Sequence, residues 1–333
     1  MRCPALADLP APPPGKTGWP WTEESAPLPP LTPDGQPWPR ITVVTPSFNQ
    51  GDFVEATIRS ILLQGYPDLE YFVLDGGSKD GSVETIRRYA PWITDWVSEP
   101  DGGQSSAINR GLGRGSGLHA TWINSDDMLC PDALVTQASR FGFHPDTVYV
   151  GQCVYIDAAA RVITTHCGRV HSFEDLVRIP SVWRAAGHQG HIVQPEVLFP
   201  RQLALDVGGL DPANHRTMDY ELWGKFFMAG AKLQYTAIPF GMFRVHAAQK
   251  THDGWKQTQS LLDTATRLVE RATSVTEETR RAILEDLRAY EAVCWARSGR
   301  LARLGLPRPL VTRLRQWRTA VETRMARTRK PIA

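Results

Sequence analysis

The stretch Thr121–Pro131, TWINSDDMLCP, runs from a β-prone apolar segment into Asn124, Ser125, Asp126 and Asp127. Adjacent carboxylates repel, and charge beside a core is costly unless it is paired or bound to a cation. Hard oxygen ligands in such a turn suit Mg2+ or Mn2+, which bind through one or two carboxylates together with phosphate oxygens. The plainer reading is an acidic turn that caps a helix starting at Pro131. A second polar turn, LDGGSKDGS, adds Asp75 and Gly76. The glycines permit close backbone approach, and Ser78 and Asp80 suit caps of the next helix. Capping does not explain Asp75. A carboxylate there can accept from a nucleobase imide or a ribose hydroxyl; an ordinary Asp-Gly turn is the alternative.

The elements that position these turns follow from the hydrophobic pattern. ITVVTP, EYFVL, TDWVS and HATWI are short strand-like runs. They alternate with helical patterns in DFVEATIRSILLQGYP, SVETIRRYA and GQSSAINRGL. Such alternation indicates a mainly parallel α/β sheet, whose strand ends line one ligand-binding edge. Thr45-Pro46-Ser47, Asp75 to Ser78, Glu99 to Gly103 (with Asp101) and Asn124 to Asp127 should therefore meet there. Farther on, TVYVGQCVYID and RVITTHC read as an antiparallel hairpin, PEVLFP and KLQYTAI as strands, and MDYELWGKFFMAG as an amphipathic helix. From Trp255 onward the chain reads helical. Residues 1–39 are proline-dense and read as an extended arm, with Trp19, Trp21 and Trp38 available to pin it.

Composition narrows the class. A hydrophobic content of 42% with 22% charged residues fits a globular chain, and a net charge of +2 gives no signal for nucleic acid. The five cysteines are scattered without a CxxC, which points to a reducing cytoplasm. No apolar run reaches the ~18 residues of a membrane span. There is no GxGxxG after the first strand and no GxxxxGK[ST], so dinucleotide and P-loop sites lack their phosphate loops.

The segments from ITVVTPSFNQGDFVEATIRSILLQGYPDLEYFVLDGGSKDGS through SEPDGGQSSAINRGLGRGSG to WINSDD resemble the family 2 glycosyltransferases. VGGLDPANHRTMDYELWGKFFMAG and FRVHAAQKT follow in matching order, so the resemblance spans roughly residues 40–252. It implies a GT-A fold: an α/β nucleotide-sugar half (40–130), an acceptor half (131–252), and here a helical, basic extension (253–333). It also implies site roles. Thr45 and Pro46 would contact the nucleotide, and Asp75 with Gly76 would read base or ribose. Asp101, Asn109 and Arg110 would line the donor diphosphate and sugar. Asn124, Ser125 and Asp126 would face the donor, with Asp126 and Asp127 as metal ligands. Asp219 would be the catalytic base. Arg244 and His246 would close over nucleotide or metal, His246 as a further ligand. Three departures stand out: Asn124 where the family often has aspartate, Gly76 in place of a second acid, and Met218 before Asp219 in place of glutamate.

The expected activity is inverting transfer from a UDP-, GDP- or dTDP-sugar to a saccharide or lipid-linked glycan hydroxyl, aided by Mn2+ or Mg2+, in bacterial polysaccharide or envelope glycan synthesis. A sugar-nucleotide nucleotidyltransferase is the enzyme alternative, although TPSFNQGD lacks the basic residue such a loop carries. A non-catalytic nucleotide-sugar-binding module is the other. His188, His191, Gln194 and Glu196 are lesser candidates near the acceptor. Leu310, Leu314, Trp317 and Val321 mark one apolar face in an arginine-rich tail, which suits peripheral contact with the inner membrane surface or docking on the domain.

Overall fold

The structure, a computed structural model, describes residues 2–179, 190–247, 249 and 254–297. The basic tail with its apolar face at 310–321, and His188, lie outside these residues. Strands β1 (Ile41–Ser47), β2 (Leu69–Asp75), β3 (Asp95–Ser98) and β4 (His119–Trp122) form a parallel sheet in the order β3-β2-β1-β4. Every residue of β1 and β2 is buried, as expected of β-branched and aromatic runs covered on both faces. Helices α1 (Val54–Leu62), α2 (Ser82–Tyr89) and α3 (Gln104–Arg114) make the crossovers. The parallel register carries the four strand-end turns to one edge, as the alternation of elements demands.

The second half continues the same sheet. Strands β5 (Met128–Leu129), β6 (Thr147–Ile156), β7 (Val162–Cys167), β8 (Val197–Pro200) and β9 (Lys232–Arg244) extend it in the order β4-β8-β6-β9-β5. β8 runs antiparallel to β4, and β7 hairpins onto β6. β9 is longer than the expected 232–238 and reaches Arg244. Its far end pairs Met242 with Met128, directly after the acidic turn. That pairing brings Arg244 and His246 to Asp126 and Asp127 from more than a hundred residues away.

Helices α4 (Ala133–Phe141), α5 (Phe173–Val177), α6 (Arg201–Asp206), α7 (Met218–Met228), α8 (Gly254–Arg271) and α9 (Glu277–Arg297) complete the described fold. One core, around Trp122, Phe199 and Trp223, lies between the sheet and α7, α8 and α9. The other lies under α1, α2 and the arm. The arm is tightly fixed. Arg59 on α1 is fully buried and donates to the carbonyls of Pro10, Pro20 and Trp21 and to the Tyr89 hydroxyl. Trp19 donates to Leu129 O, and the Trp38 ring meets Tyr66 edge-on at 6.3 Å while its N–H donates to Pro29 O within the arm, so these two tryptophans pin the arm.

Candidate active site

The acidic turn divides its two carboxylates between different tasks. Asp127 is 1% exposed; its Oδ1 accepts from the Arg244 N–H at 2.8 Å and its Oδ2 from Asn124 Nδ2 at 3.1 Å. Burial, and then the charge of Asp126, push its carboxyl well above the usual range, while the Arg244 and Asn124 donors pull the other way. Asp126 is more open. Its Oδ2 lies 3.0 Å from His246 Nε2, and its Oδ1 has no hydrogen-bond partner among the described residues.

Asn124 is the hub under this turn. Its Oδ1 accepts from Gln104 Nε2 at 2.7 Å on α3, and its Nδ2 also reaches Gln194 Oε1 at 3.4 Å. Gln194, in the short 3-10 turn Gln194–Glu196, in turn donates to Trp122 O at 2.5 Å. An aspartate at 124 could not donate to Asp127, so asparagine here has a local electrostatic reason. Arg244 is 3% exposed and works as a clamp. Its Nε donates to Asp126 O, its Nη1 donates to Asp157 O and Ala158 O, and its guanidinium lies 5.0 Å over the Phe53 ring. Phe53 also packs on His246, with centroids 4.8 Å apart.

The neighbouring turns are equally ordered. Asp75 is 1% exposed; its Oδ2 accepts from the N–H groups of Gly77 and Ser78 and the Ser98 hydroxyl, and its Oδ1 from the Ser78 hydroxyl. The Thr45 hydroxyl, within buried β1, accepts from Tyr71. Pro46 lies in β1 between Thr45 and Ser47, and Ser125 is buried in the acidic turn. At Gly76 a Cβ would lie 3.3 Å from the Phe48 ring and 3.4 Å from Asp101, so the missing second acid leaves room for these two side chains. Phe48, which sequence reasoning passed over, is 60% exposed at the end of β1. An aromatic inside the otherwise polar TPSFNQGD was the available signal. Asp101 accepts from the Gly103 N–H, and Arg110 pairs with Glu99. Asn109 bonds at both ends of its amide to the Leu210 backbone. It thereby fixes Gly209, a residue at φ +64° whose Cβ would lie 2.5 Å from Asn109 Oδ1.

Asp219 occupies the first turn of α7 and is half-buried. Burial raises its carboxyl above the ordinary range, against the Tyr220 N–H that donates to Oδ1 at 2.8 Å. Two contacts tie its helix to the acidic turn. Gln104 and Ser105 are adjacent on α3; one holds Asn124, and the other donates to Met218 Sδ at 2.9 Å. Trp122, two residues before Asn124, stacks on Trp223 of α7 at 5.8 Å and 20°. Glu196 is fully buried, bonded to the Val193 N–H, and burial pushes its carboxyl well above the usual range. His191 accepts at its carbonyl from, or faces, His166 Nε2 at 2.6 Å.

Known proteins resemble this chain in sequence and in fold. Residues 42–184 match the family model described as Glycosyl transferase family 2. Over these residues the chain is similar to glycosyl transferase family 2. The match ends before Asp219, Arg244 and His246. An uncharacterized glycosyltransferase of Rickettsia prowazekii is 24% identical over 229 residues, covering 68% of this chain and 70% of that protein. Among solved structures, residues 1–349 of S. aureus TarS in complex with UDP-GlcNAc superimpose with TM-score 0.56 at 14% identity, covering 75% of this chain and 72% of that one. A mannosyltransferase from Pyrobaculum calidifontis in complex with GDP-Man and Mn2+ superimposes with TM-score 0.53 at 19% identity, covering 90% of each chain. The fold of this glycosyltransferase is thus the GT-A α/β fold. No helix among its described residues is long and apolar enough to cross a membrane.

Proposed function

We propose that the chain transfers a sugar, with inversion, from a nucleoside-diphosphate donor to a hydroxyl of a saccharide or lipid-linked glycan, at the edge built by the four strand-end turns. One observation carries this reading: Asp126 and His246 face each other at 3.0 Å, beside a turn whose other carboxylate is internally bonded. The donor set fits Mn2+ or Mg2+, since one carboxylate and one imidazole leave positions for diphosphate oxygens and water. No cluster of three or more His, Cys, Asp or Glu side chains suited to a metal stands among the described residues. A divalent ion bound there supplies positive charge against the leaving diphosphate. Asp127 is then a support for Asp126 rather than a second ligand.

The remaining roles follow from placement. Phe48 offers an exposed ring for the nucleobase, beside the Asp75 turn that borders the ribose. Asp219 lies where few donors stabilise its charge, so its carboxylate is basic enough to take the acceptor proton. One base on the face opposite the leaving group gives inversion. The neighbours named above are in complex with UDP-GlcNAc and with GDP-Man, which supports a nucleotide-sugar donor and leaves its base and sugar to experiment. Binding of UDP-, GDP- and dTDP-sugars, measured by calorimetry with and without Mn2+, should show at least one metal-dependent donor. Metal-independent weak binding of all of them would overturn the reading.

A further inference from the structure

The helix that carries Asp219 is held from behind by the C-terminal extension. α7 begins after Thr217, a residue type that normally turns its hydroxyl onto the helix's own free N–H groups. Here the Thr217 hydroxyl makes no such cap. It lies 2.9 Å from Thr264 Oγ1 and 3.1 Å from Ser260 Oγ, both on α8. Asn214 joins the same cluster: its Oδ1 accepts from Thr217 N and Oγ1, and its Nδ2 donates to Glu221 Oε2 at 2.7 Å and reaches Thr264 Oγ1 at 3.4 Å. Thr264 is fully buried, Thr217 is 1% exposed, Glu221 4% and Asn214 7%. Gln257, also on α8, donates to Arg216 O.

The geometry points to a purpose. Thr217 and Glu221 stand two residues before and two residues after Asp219. At about 100° per residue both fall on the far side of the helix from it. The cluster therefore grips the back of the first turn and leaves Asp219 directed away from α8. The rest of this interface is apolar, through Leu261, Ala265 and Leu268, with Leu268 against Gly224. Apolar packing alone would hold two helices together more cheaply than a buried polar cluster, which is costly unless every member is satisfied. What the hydrogen bonds add is register: they fix rotation and height of the first turn in a way that oily contacts do not. We infer that Thr264 and Ser260 are positioning residues for Asp219, so that α8 is part of the catalytic unit and not an appendage beginning at residue 253. This inference rests on the proposed role of Asp219 as base.

The test compares Thr264→Val, Thr264→Ser and Ser260→Ala with the wild type and with Asp219→Asn. The readouts are release of nucleoside diphosphate from a panel of UDP-, GDP- and dTDP-sugars with Mn2+, and amide hydrogen exchange across residues 214–222. Thr264→Val should lower kcat roughly tenfold, as expected for a reacting group displaced by a fraction of an ångström. Its KM for the donor should stay within about twofold, because the donor turns are untouched. Exchange at 214–222 should accelerate while exchange in β1 and β2 stays unchanged. Thr264→Ser, which keeps the hydroxyl, should restore kcat. Wild-type kcat in Thr264→Val, or a Thr264→Ser as impaired as the valine, overturns the inference. If Thr264→Val does not fold, slowed turnover with faster exchange in Ser260→Ala still supports it, and wild-type values for both overturn it. Should Asp219→Asn itself retain turnover, the base assignment fails first, and the inference with it.

Discussion

The acidic turn at 124–127 and the helix start at 217–221 both present a carboxylate on a buried hydrogen-bonded frame, yet the partners that hold it differ. At the turn, Asp126 faces the His246 imidazole, Asp127 accepts from the Arg244 backbone N–H, and the Arg244 guanidinium donates to the Asp126 carbonyl between them. At the helix start the frame of amides and hydroxyls holds one further carboxylate, Glu221, with Lys225 3.8 Å from it, and Asp219 accepts from backbone N–H groups of its own turn. The acidic turn suits holding a cation and a diphosphate. Burial raises the carboxyl in both places, but both oxygens of Asp127 are taken by internal donors, whereas Asp219 accepts, among the described residues, only within its own turn, which suits the proton-accepting role proposed for it.

That contrast can be broken most severely at the helix. Asp219→Asn should reduce transfer by about 10²- to 10⁴-fold, the range of a general base, while donor affinity changes less than about twofold. Steady-state kinetics with a titration of the donor would check both halves. Because burial raises the Asp219 carboxyl, kcat in the wild type should fall on the acid side at a pH above the ordinary aspartate range, since the base form is lost as pH drops through the raised value. A pH–rate profile flat through that region would argue against it.

Next in size is the separation of Asp126 from Asp127. Asp126→Asn should abolish the Mn2+ dependence of donor binding and change the melting temperature little, as the Asp126 side chain makes one hydrogen bond among the described residues, to His246, which an amide oxygen can still accept. Asp127→Ala should instead destabilise, because Asn124 Nδ2 and the Arg244 N–H lose their acceptor at about 1–3 kcal/mol for each buried donor. Thermal denaturation with and without Mn2+ distinguishes the two. Equal behaviour of both variants would erase the division of labour at the turn. Asn124→Asp belongs to the same series and should be worse tolerated than Asn124→Ala, since it adds a third carboxylate 3.1 Å from Asp127. The smallest effect is expected at Phe48→Ala: about a tenfold rise in donor KM from lost stacking, with kcat and stability preserved.

Much of this was legible in the residues themselves. Period-two and continuous apolar runs gave β1 to β4 and their crossovers, and parallel topology then placed four polar turns on one edge without any knowledge of side-chain contacts. What stayed hidden depends on long-range pairing. Nothing local in TWINSDD distinguishes Asp126 from Asp127; the distinction comes from β9 meeting β5, which aims the Arg244 N–H at only one of them. Asn109, which the family resemblance assigns to the donor, bonds to Leu210 at both ends of its side chain, a contact across a hundred residues. Phe48 was missed because exposure of a single aromatic cannot be read from hydrophobic periodicity. The polar cluster behind Asp219 was invisible for the same reason: a threonine in the middle of an amphipathic helix looks like surface until its partner helix is placed.

Arg59 carries a consequence for how the chain can vary. Its guanidinium is solvated entirely by protein, mostly by carbonyls of the proline-rich arm. Arm and arginine therefore form one inherited unit. A chain starting at Arg40 would lose three of these acceptors together with the cover the arm provides, leaving the guanidinium to water and the Tyr89 hydroxyl. Exchanging Arg59 for leucine should therefore destabilise the full chain, where it strands buried carbonyls, far more than the shortened one. Relatives without such an arm are expected to be free to vary this place on the helix.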